Sequence, residues 1–426
     1  MSDAIDVHGP LEARIRWGSA SRRVAFRRVQ GFSPCLPLHK IESKFICQSI
    51  PYLCSCNERN NINRKMGLFQ SKPKPVPLPK ALELCFSVPI AKSVFVLVKA
   101  GVPDIIERHG GSMNIEDITR EAGFKDVDLA FRLLRSAEAI GMFSLDRKTK
   151  KWSNTESTMM LLRDAPGSAA TLIRHIMYES YLGYTHLDDA VLKESKKTGG
   201  SSFEMFSGGK PYWEWLDAPG EEDTISNFNS LMVDFTKREL PAILQSFDWK
   251  NLGDDIRLLD IGGGKGHLVK AIIDEKVNTM VKPMVLDTPH MIEDAKQFWK
   301  DHQGKHEVSL ITGDFFKSIP EADVYVLKHI IHDWNDEKSI EILKNVHKSA
   351  SAVKDSTVLI MEYVLEDDKP LNIHDAFLDI QMLAMVDGKE RTESQWKHIV
   401  EASGFKIDKI HAVDGAKISI IQASCA

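Results

Sequence analysis

Strong charge of either sign is missing from this 426-residue chain, in which 55 Lys and Arg stand against 60 Asp and Glu for a net charge of -5. Nothing in that balance calls for a nucleic-acid partner. Cysteine is scarce as well. The six present (Cys35, Cys47, Cys54, Cys56, Cys85, Cys425) contain no C-x-x-C pair and no metal-ligand spacing, so neither a disulfide framework nor a metal site is suggested, and a reducing, cytoplasmic setting fits best. Long hydrophobic runs are also absent. The best candidate, CFSVPIAKSVFVLVKAG from Cys85, is interrupted by Pro89 and Lys92, so it predicts a buried helix and no integral membrane segment. What remains, 43% hydrophobic and 27% charged residues, suits a globular chain long enough for two or three domains.

Residues 1–65 differ from the rest. They hold eight Arg and three Lys against five acidic residues, carry four of the six cysteines, and lack sustained periodicity, which predicts a disordered extension. No apolar h-region supports a secretory signal. A transit peptide would explain the arginines, but Asp3, Asp6 and Glu12 are wrong for one; an upstream extension outside the working protein explains them as well. At Met66 the text changes to MGLFQSKPKPVPLPK. With Met66 as initiator, Gly67 and Ser71 would fit the N-myristoylation pattern, a membrane tether aided by Lys72, Lys74 and Lys80. The alternating prolines 73, 75, 77 and 79 make residues 66–80 an extended linker.

Over 81–165 the pattern is helix, turn, helix, then a hairpin in MFSLDRKTKKWSNT, the outline of a winged helix. In VDLAFRLLRSAEAIGMF, the positions Leu129, Leu133, Leu134 and Ile140 mark the expected apolar face, and Gly141 closes the helix. The DNA reading of that outline fails on charge. Arg132 and Arg135 are mixed with Asp126, Asp128 and Glu138, so the helix has no basic face and a protein-facing role such as dimerisation is favoured. Residues 166–250 read as a helical linker with substrate-pocket elements. They include a Gly/Ser-rich loop, TGGSSFEMFSGGKP, and the aromatics Tyr212, Trp213 and Trp215, which either pack a core or line an aromatic pocket.

Residues 251–426 carry the chemistry. IRLLDIGGGKGHLVKAII runs from an apolar strand through a glycine loop into an apolar-periodic helix, the start of a Rossmann-like α/β sheet. A dinucleotide fingerprint would place glycine at 267, where this chain has His267. The G-x-G-x-G of Gly262, Gly264 and Gly266, preceded by Asp260, better suits the amino group and sulfonium of S-adenosyl-L-methionine. Asp287 ends the next strand, about 20 residues past the loop, where a carboxylate accepts ribose hydroxyls. Asp314 in ITGDFF is placed for an adenine amino group, with Phe315 or Phe316 to stack on the ring. Acids at three successive strand ends carry the cofactor reading.

In this order and spacing, DIGGGKG, VLDTPHMIEDA, GDFF, LKHIIHDWNDE, LIMEYVL and GKERT resemble the plant-type small-molecule O-methyltransferases, including the acetylserotonin (hydroxyindole) enzymes of animals. The resemblance covers about Ala81 to Ala423. It implies a homodimer, a small aromatic hydroxyl acceptor (a hydroxyindole such as N-acetylserotonin, or a phenolic) and no metal. It also implies that His332 is the general base, flanked by Glu362 and Glu390, and that Gly262, Asp287, Asp314, Phe315 and Lys328 touch the cofactor. The base chemistry is sound, since a phenol of pKa about 10 must lose its proton while a histidine of reference pKa about 6.5 stands by. His329 falls where relatives carry Trp or Arg, as a cofactor-wall or packing residue, and Trp215 matches an aromatic contact or packs the core. Asp333 is a sequence neighbour of His332 whose side chain should diverge from it. The alternatives are a non-catalytic regulator that keeps this fold and a methyltransferase for non-aromatic acceptors.

Overall fold

The computed structural model describes residues 79–165, 167–192, 200–275, 281–300 and 307–426. The expected extension over 1–65, the Met66 start with its Gly67 signal, and the linker up to residue 78 lie outside the described residues.

The expected helix is present as α1, Lys80–Lys99, with Pro89 inside it. Only its second half is buried, through Val94, Phe95, Leu97 and Val98. Leu84 (71% exposed), Phe86 and Val88 stand in solvent, so the expectation of a buried helix holds for half its length. By length and composition it is also the one helix among the described residues apolar enough to cross a membrane. None of the described residues covers its first half.

Helix α2, Val127–Glu138, starts where Asp126 accepts the Leu129 N–H at 2.9 Å. Its inward stripe is Ala130, Leu134 and Ala137, spaced i, i+4, i+7, and it packs against α1. Leu129 and Ile140, expected to face the core, are exposed instead. The small alanines allow the close approach to α1, which turns the bulkier Leu129 outward. The expected hairpin is present: β2 (Phe143–Leu145) and β3 (Lys151–Asn154) pair antiparallel, and β1 (Ser112–Asn114) adds to β3.

Two elements of the helical middle bear on function. Ser202–Ser207 is a helix where a Gly/Ser-rich loop was expected, because Ser201 accepts the Glu204 N–H at 3.1 Å and caps it. Its Phe203 packs on Trp215 and Tyr212, at 5.0 and 5.2 Å between rings, so Trp215 serves as packing. Helix α3, Glu222–Ser246, then carries Glu239 on its buried side toward the sheet.

The last third forms a mixed sheet. Its strands are β4 (Arg257–Ile261), β5 (Lys282–Asp287), β6 (Ser309–Thr312), β7 (Val324–Lys328), β8 (Thr357–Leu365), β9 (Arg391–Thr392), β10 (Phe405–Ala412) and β11 (Ile418–Cys425). The order is β10-β11-β8-β7-β4-β5-β6, parallel from β8 to β6, with β10 and β11 antiparallel at one end and β9 beside β8. Strand residues alternate between two cores. Leu258, Val324, Val326, Leu359 and Met361 face one, while Leu259, Tyr325, Leu327, Val358 and Ile360 face the other. Covered on both faces, these strands read as continuous apolar runs. The strand order reverses between β4 and β7, so the crevice at their carboxyl ends is where such a sheet takes its ligand.

Candidate active site

Asp260 pairs with Val326 across that reversal and is 3% exposed. Burial pushes its carboxyl up to about 7, against the pull of nearby Lys328. Gly262, Gly264 and Gly266 all take the left-handed conformation, with φ of 68°, 59° and 81°. The Gly264 N–H donates to Asp287 Oδ2 at 2.8 Å, which ties the loop to the next strand end. The loop is held from outside too, by the Trp299 indole donating to the Lys265 carbonyl at 2.9 Å. Asp314 is exposed, accepts the Phe316 N–H and pairs with Lys317 at 2.9 Å. Phe315 packs with Phe316 and Trp334 above it. The sequence-predicted cofactor residues thus share one sheet edge. Lys328 faces inward and forms a buried ion pair with Glu239, 2.7 Å away.

Beyond β7 the chain turns through Ile331–Asp333, and one carboxylate shapes that turn. Register pairs Lys328 with Met361, which leaves Glu362 one residue past the end of β7. From there Glu362 Oε1 accepts the N–H groups of Ile330, Ile331 and His332 at 2.9, 2.8 and 3.3 Å. Glu362 is wholly buried. Glu390 takes the other task, with Oε1 2.9 Å from His332 Nδ1. The two expected flanking glutamates are therefore unequal: one orders backbone, the other holds the imidazole. His332 Nε2 lies 3.6 Å from Asp333 Oδ1, too far for a hydrogen bond, as the divergence of adjacent side chains predicts. Burial alone would push His332 down, but the Glu362 and Glu390 carboxylates outweigh it and hold it up at about 10.

Two supports come from the GKERT loop. Arg391, fully buried, donates to the Ile331 and Trp334 carbonyls, Ser339 Oγ and Asp336. Arg391→Met takes the guanidinium donors from those carbonyls, which keep only the Ser339 hydroxyl and the Trp334 N–H, and leaves Asp336 without this partner. It should cost about 1–3 kcal/mol, read from denaturant unfolding. Gly388 passes so close that an added Cβ would lie 2.1 Å from the His332 carbonyl oxygen. Gly388→Ala must displace backbone and should lower kcat at least about tenfold and stability by about 1–3 kcal/mol, measured by steady-state turnover and thermal melting.

Sequence reasoning missed Glu239, one acid among the charged residues of TKRELPAI. Its Oε1 and Oε2 both lie 3.1 Å from His329 Nε2. His329 has φ 54° and packs its ring on His332 at 5.3 Å and on Tyr363 at 5.5 Å between rings, beside its contact with Glu239. Lys328 and His329 together hold Glu239 at about 2 despite its burial. No periodicity marks such a residue, since its role depends on a fold contact ninety positions away.

A model of the O-methyltransferase domain matches residues 184–406, and one of the O-methyltransferase dimerisation domain matches residues 82–164. The chain belongs to the O-methyltransferase family. Probable inactive O-methyltransferase 11 of Dictyostelium discoideum is 30% identical over 324 residues, spanning 74% of this chain and 88% of its own. The isoflavone 4'-O-methyltransferase of Medicago truncatula is 28% identical over 336 residues, with 75% and 88% covered. Among solved structures, the mitomycin 7-O-methyltransferase superposes with a TM-score of 0.72 at 25% identity, covering 81% of this chain and 97% of that one. Human N-acetylserotonin methyltransferase, solved with S-adenosylmethionine, gives 0.68 at 21% identity, with 83% and 100% covered, a likeness of fold. This O-methyltransferase is an S-adenosylmethionine-dependent enzyme of the small-molecule type. The residues present fit that cofactor: glycines in the left-handed conformation clear a path beside Asp260, and Asp287 keeps lone pairs beyond those used by Gly264 and Thr288.

Proposed function

We propose that the enzyme methylates a hydroxyl of a small aromatic acceptor, a hydroxyindole or a phenolic, with His332 as general base. The observation that carries this reading is the contact of His332 Nδ1 with Glu390 at 2.9 Å. Nδ1 donates there, which leaves Nε2 as the lone-pair nitrogen for the acceptor's proton. Asp260, Gly262, Gly264, Asp287, Asp314 and Phe315 would hold S-adenosylmethionine, which would supply an electrophilic methyl group, its sulfur keeping the electron pair of the broken C–S bond and leaving as S-adenosylhomocysteine. The part of His332 is to take the acceptor's hydroxyl proton on Nε2. Positioning contributes up to about 7–11 kcal/mol and the base about 10²–10⁴-fold. Relatives that carry phenolic substrates in their names, such as the isoflavone enzyme, support the acceptor class. A panel of hydroxyindoles, phenols and flavonoids assayed with labelled S-adenosylmethionine tests it. Turnover confined to non-aromatic acceptors would refute the acceptor class.

The same proposal includes a homodimer paired through the winged-helix half. Support comes from the dimerisation-domain match and from the exposed apolar residues Leu84, Phe86, Val88, Leu129, Ile140, Met159 and Met160 of that half. Light scattering should give twice the chain mass, and Phe86→Glu should lower it.

A further inference from the structure

We infer that the wing of the winged-helix half carries a binding site for a small aromatic anion, apart from the catalytic centre. A cavity of about 440 Å³ opens there, within the usual size of a small-molecule pocket. Its walls are apolar. Trp152 on β3 stands opposite Leu145 on β2, and Phe131 of α2 meets the Trp152 ring edge to face at 5.9 Å, with Ile115 in the same lining. The remaining lining residues are cations. Arg135, Arg147 and Lys150 are all exposed, which puts their charge at the rim, and the Arg135 guanidinium lies over the Phe131 ring, 5.5 Å from its centre.

The turn that presents two of these cations is pinned. Asp146 accepts the Lys148 N–H and the Thr149 hydroxyl at 2.8 and 2.7 Å on its side chain, and the Lys150 N–H at 2.8 Å on its carbonyl. Lys150 has φ 60°, a left-handed conformation in which glycine or asparagine is usual. A lysine held there gives up backbone ease to place a charge. Arg147 reaches Glu138 at 2.9 Å, whereas among the described residues Arg135 and Lys150 form no ion pair. Residues 146–151 hold four cations, Arg147, Lys148, Lys150 and Lys151, against Asp146, which is committed to the turn.

An aromatic carboxylate meets both halves of the site, its ring against the Trp152 and Phe131 walls and its charge beside Arg135 and Lys150. Duplex DNA offers the charge but no apolar body for the cavity, and α2 carries Asp128 and Glu138 among its arginines. The site is also separate from the apolar face given to the homodimer. Phe131 and Arg135, at i and i+4, share one side of α2, and the exposed Leu129, two positions before Phe131, lies on another.

The full chain labelled with 5-fluorotryptophan should show a ¹⁹F resonance, assigned to Trp152 by its loss in Trp152→Phe, that moves as 2-naphthoate is added. Half-saturation should fall at about 10⁻⁴–10⁻³ M. Lys150→Gly, which suits the positive φ, and Arg147→Gln should each raise that midpoint at least about threefold. The uncharged 2-naphthalenemethanol should bind at least about tenfold more weakly. Methyl-transfer turnover of both charge variants should match wild type, because neither residue belongs to the catalytic centre, and thermal melting checks their fold. A Trp152 resonance that stays fixed up to about 10 mM 2-naphthoate would overturn the site, and so would variants or the alcohol binding as tightly as wild type binds naphthoate. A short DNA duplex that moves the resonance where 2-naphthoate leaves it fixed would give the wing to nucleic acid instead.

Discussion

His332→Gln should lower kcat/KM by about 10²–10⁴-fold while S-adenosylhomocysteine binds as before. Calorimetry and a labelled-methyl assay separate the two quantities, and unchanged turnover would remove His332 from the base role. The pH profile sharpens this result. An imidazole held up at about 10 is mostly protonated at neutral pH, so kcat/KM of the wild type should climb with pH toward that value. Glu390→Gln removes one of the carboxylates responsible and should move the climb to lower pH. Stability should run the opposite way. A histidine whose folded pKa exceeds its unfolded value of about 6.5 stabilises fully below that value, and the contribution fades as pH rises through about 10. Thermal melting of the wild type should therefore fall between pH 7 and 10, more steeply than that of Glu390→Gln.

The second large effect concerns Glu362. Its Oε1 accepts three backbone N–H groups from a site with no solvent access. Glu362→Ala strands all three donors and should cost about 3–5 kcal/mol, enough to unfold much of the population at physiological temperature. Glu362→Gln keeps one oxygen in place. It should recover most of the melting temperature yet lower the His332 pKa, because the charge is gone. Equal melting temperatures for Glu362→Ala and wild type would contradict the role assigned to this oxygen.

The sheet and its ligand edge were legible in the sequence because parallel strands buried on both faces carry unbroken apolar runs, and because glycine and acid punctuate each strand end. His332 and Glu390 were legible through the resemblance, and their 2.9 Å contact follows from it. Glu362 was found as a flank of His332, but its second task, bracing backbone through three N–H groups, depends on the register of β8 against β7, which no local pattern encodes. The pairing of Lys328 with Glu239 was not legible, because a buried ammonium takes a carboxylate that only the fold brings near. The exposed first half of α1 was read as core because apolar content alone does not say which surface covers it.

The place of β11 bears on how the chain is made. It lies between β10 and β8, so β8 gains its antiparallel neighbour only after residues 366–417 have been synthesised. Until then the strand that carries Glu362 presents an open, apolar edge to solvent or to a neighbouring nascent chain. Ribosome-bound intermediates stalled in that interval should bind holdase chaperones, and release of the stall should free them as β11 closes the edge.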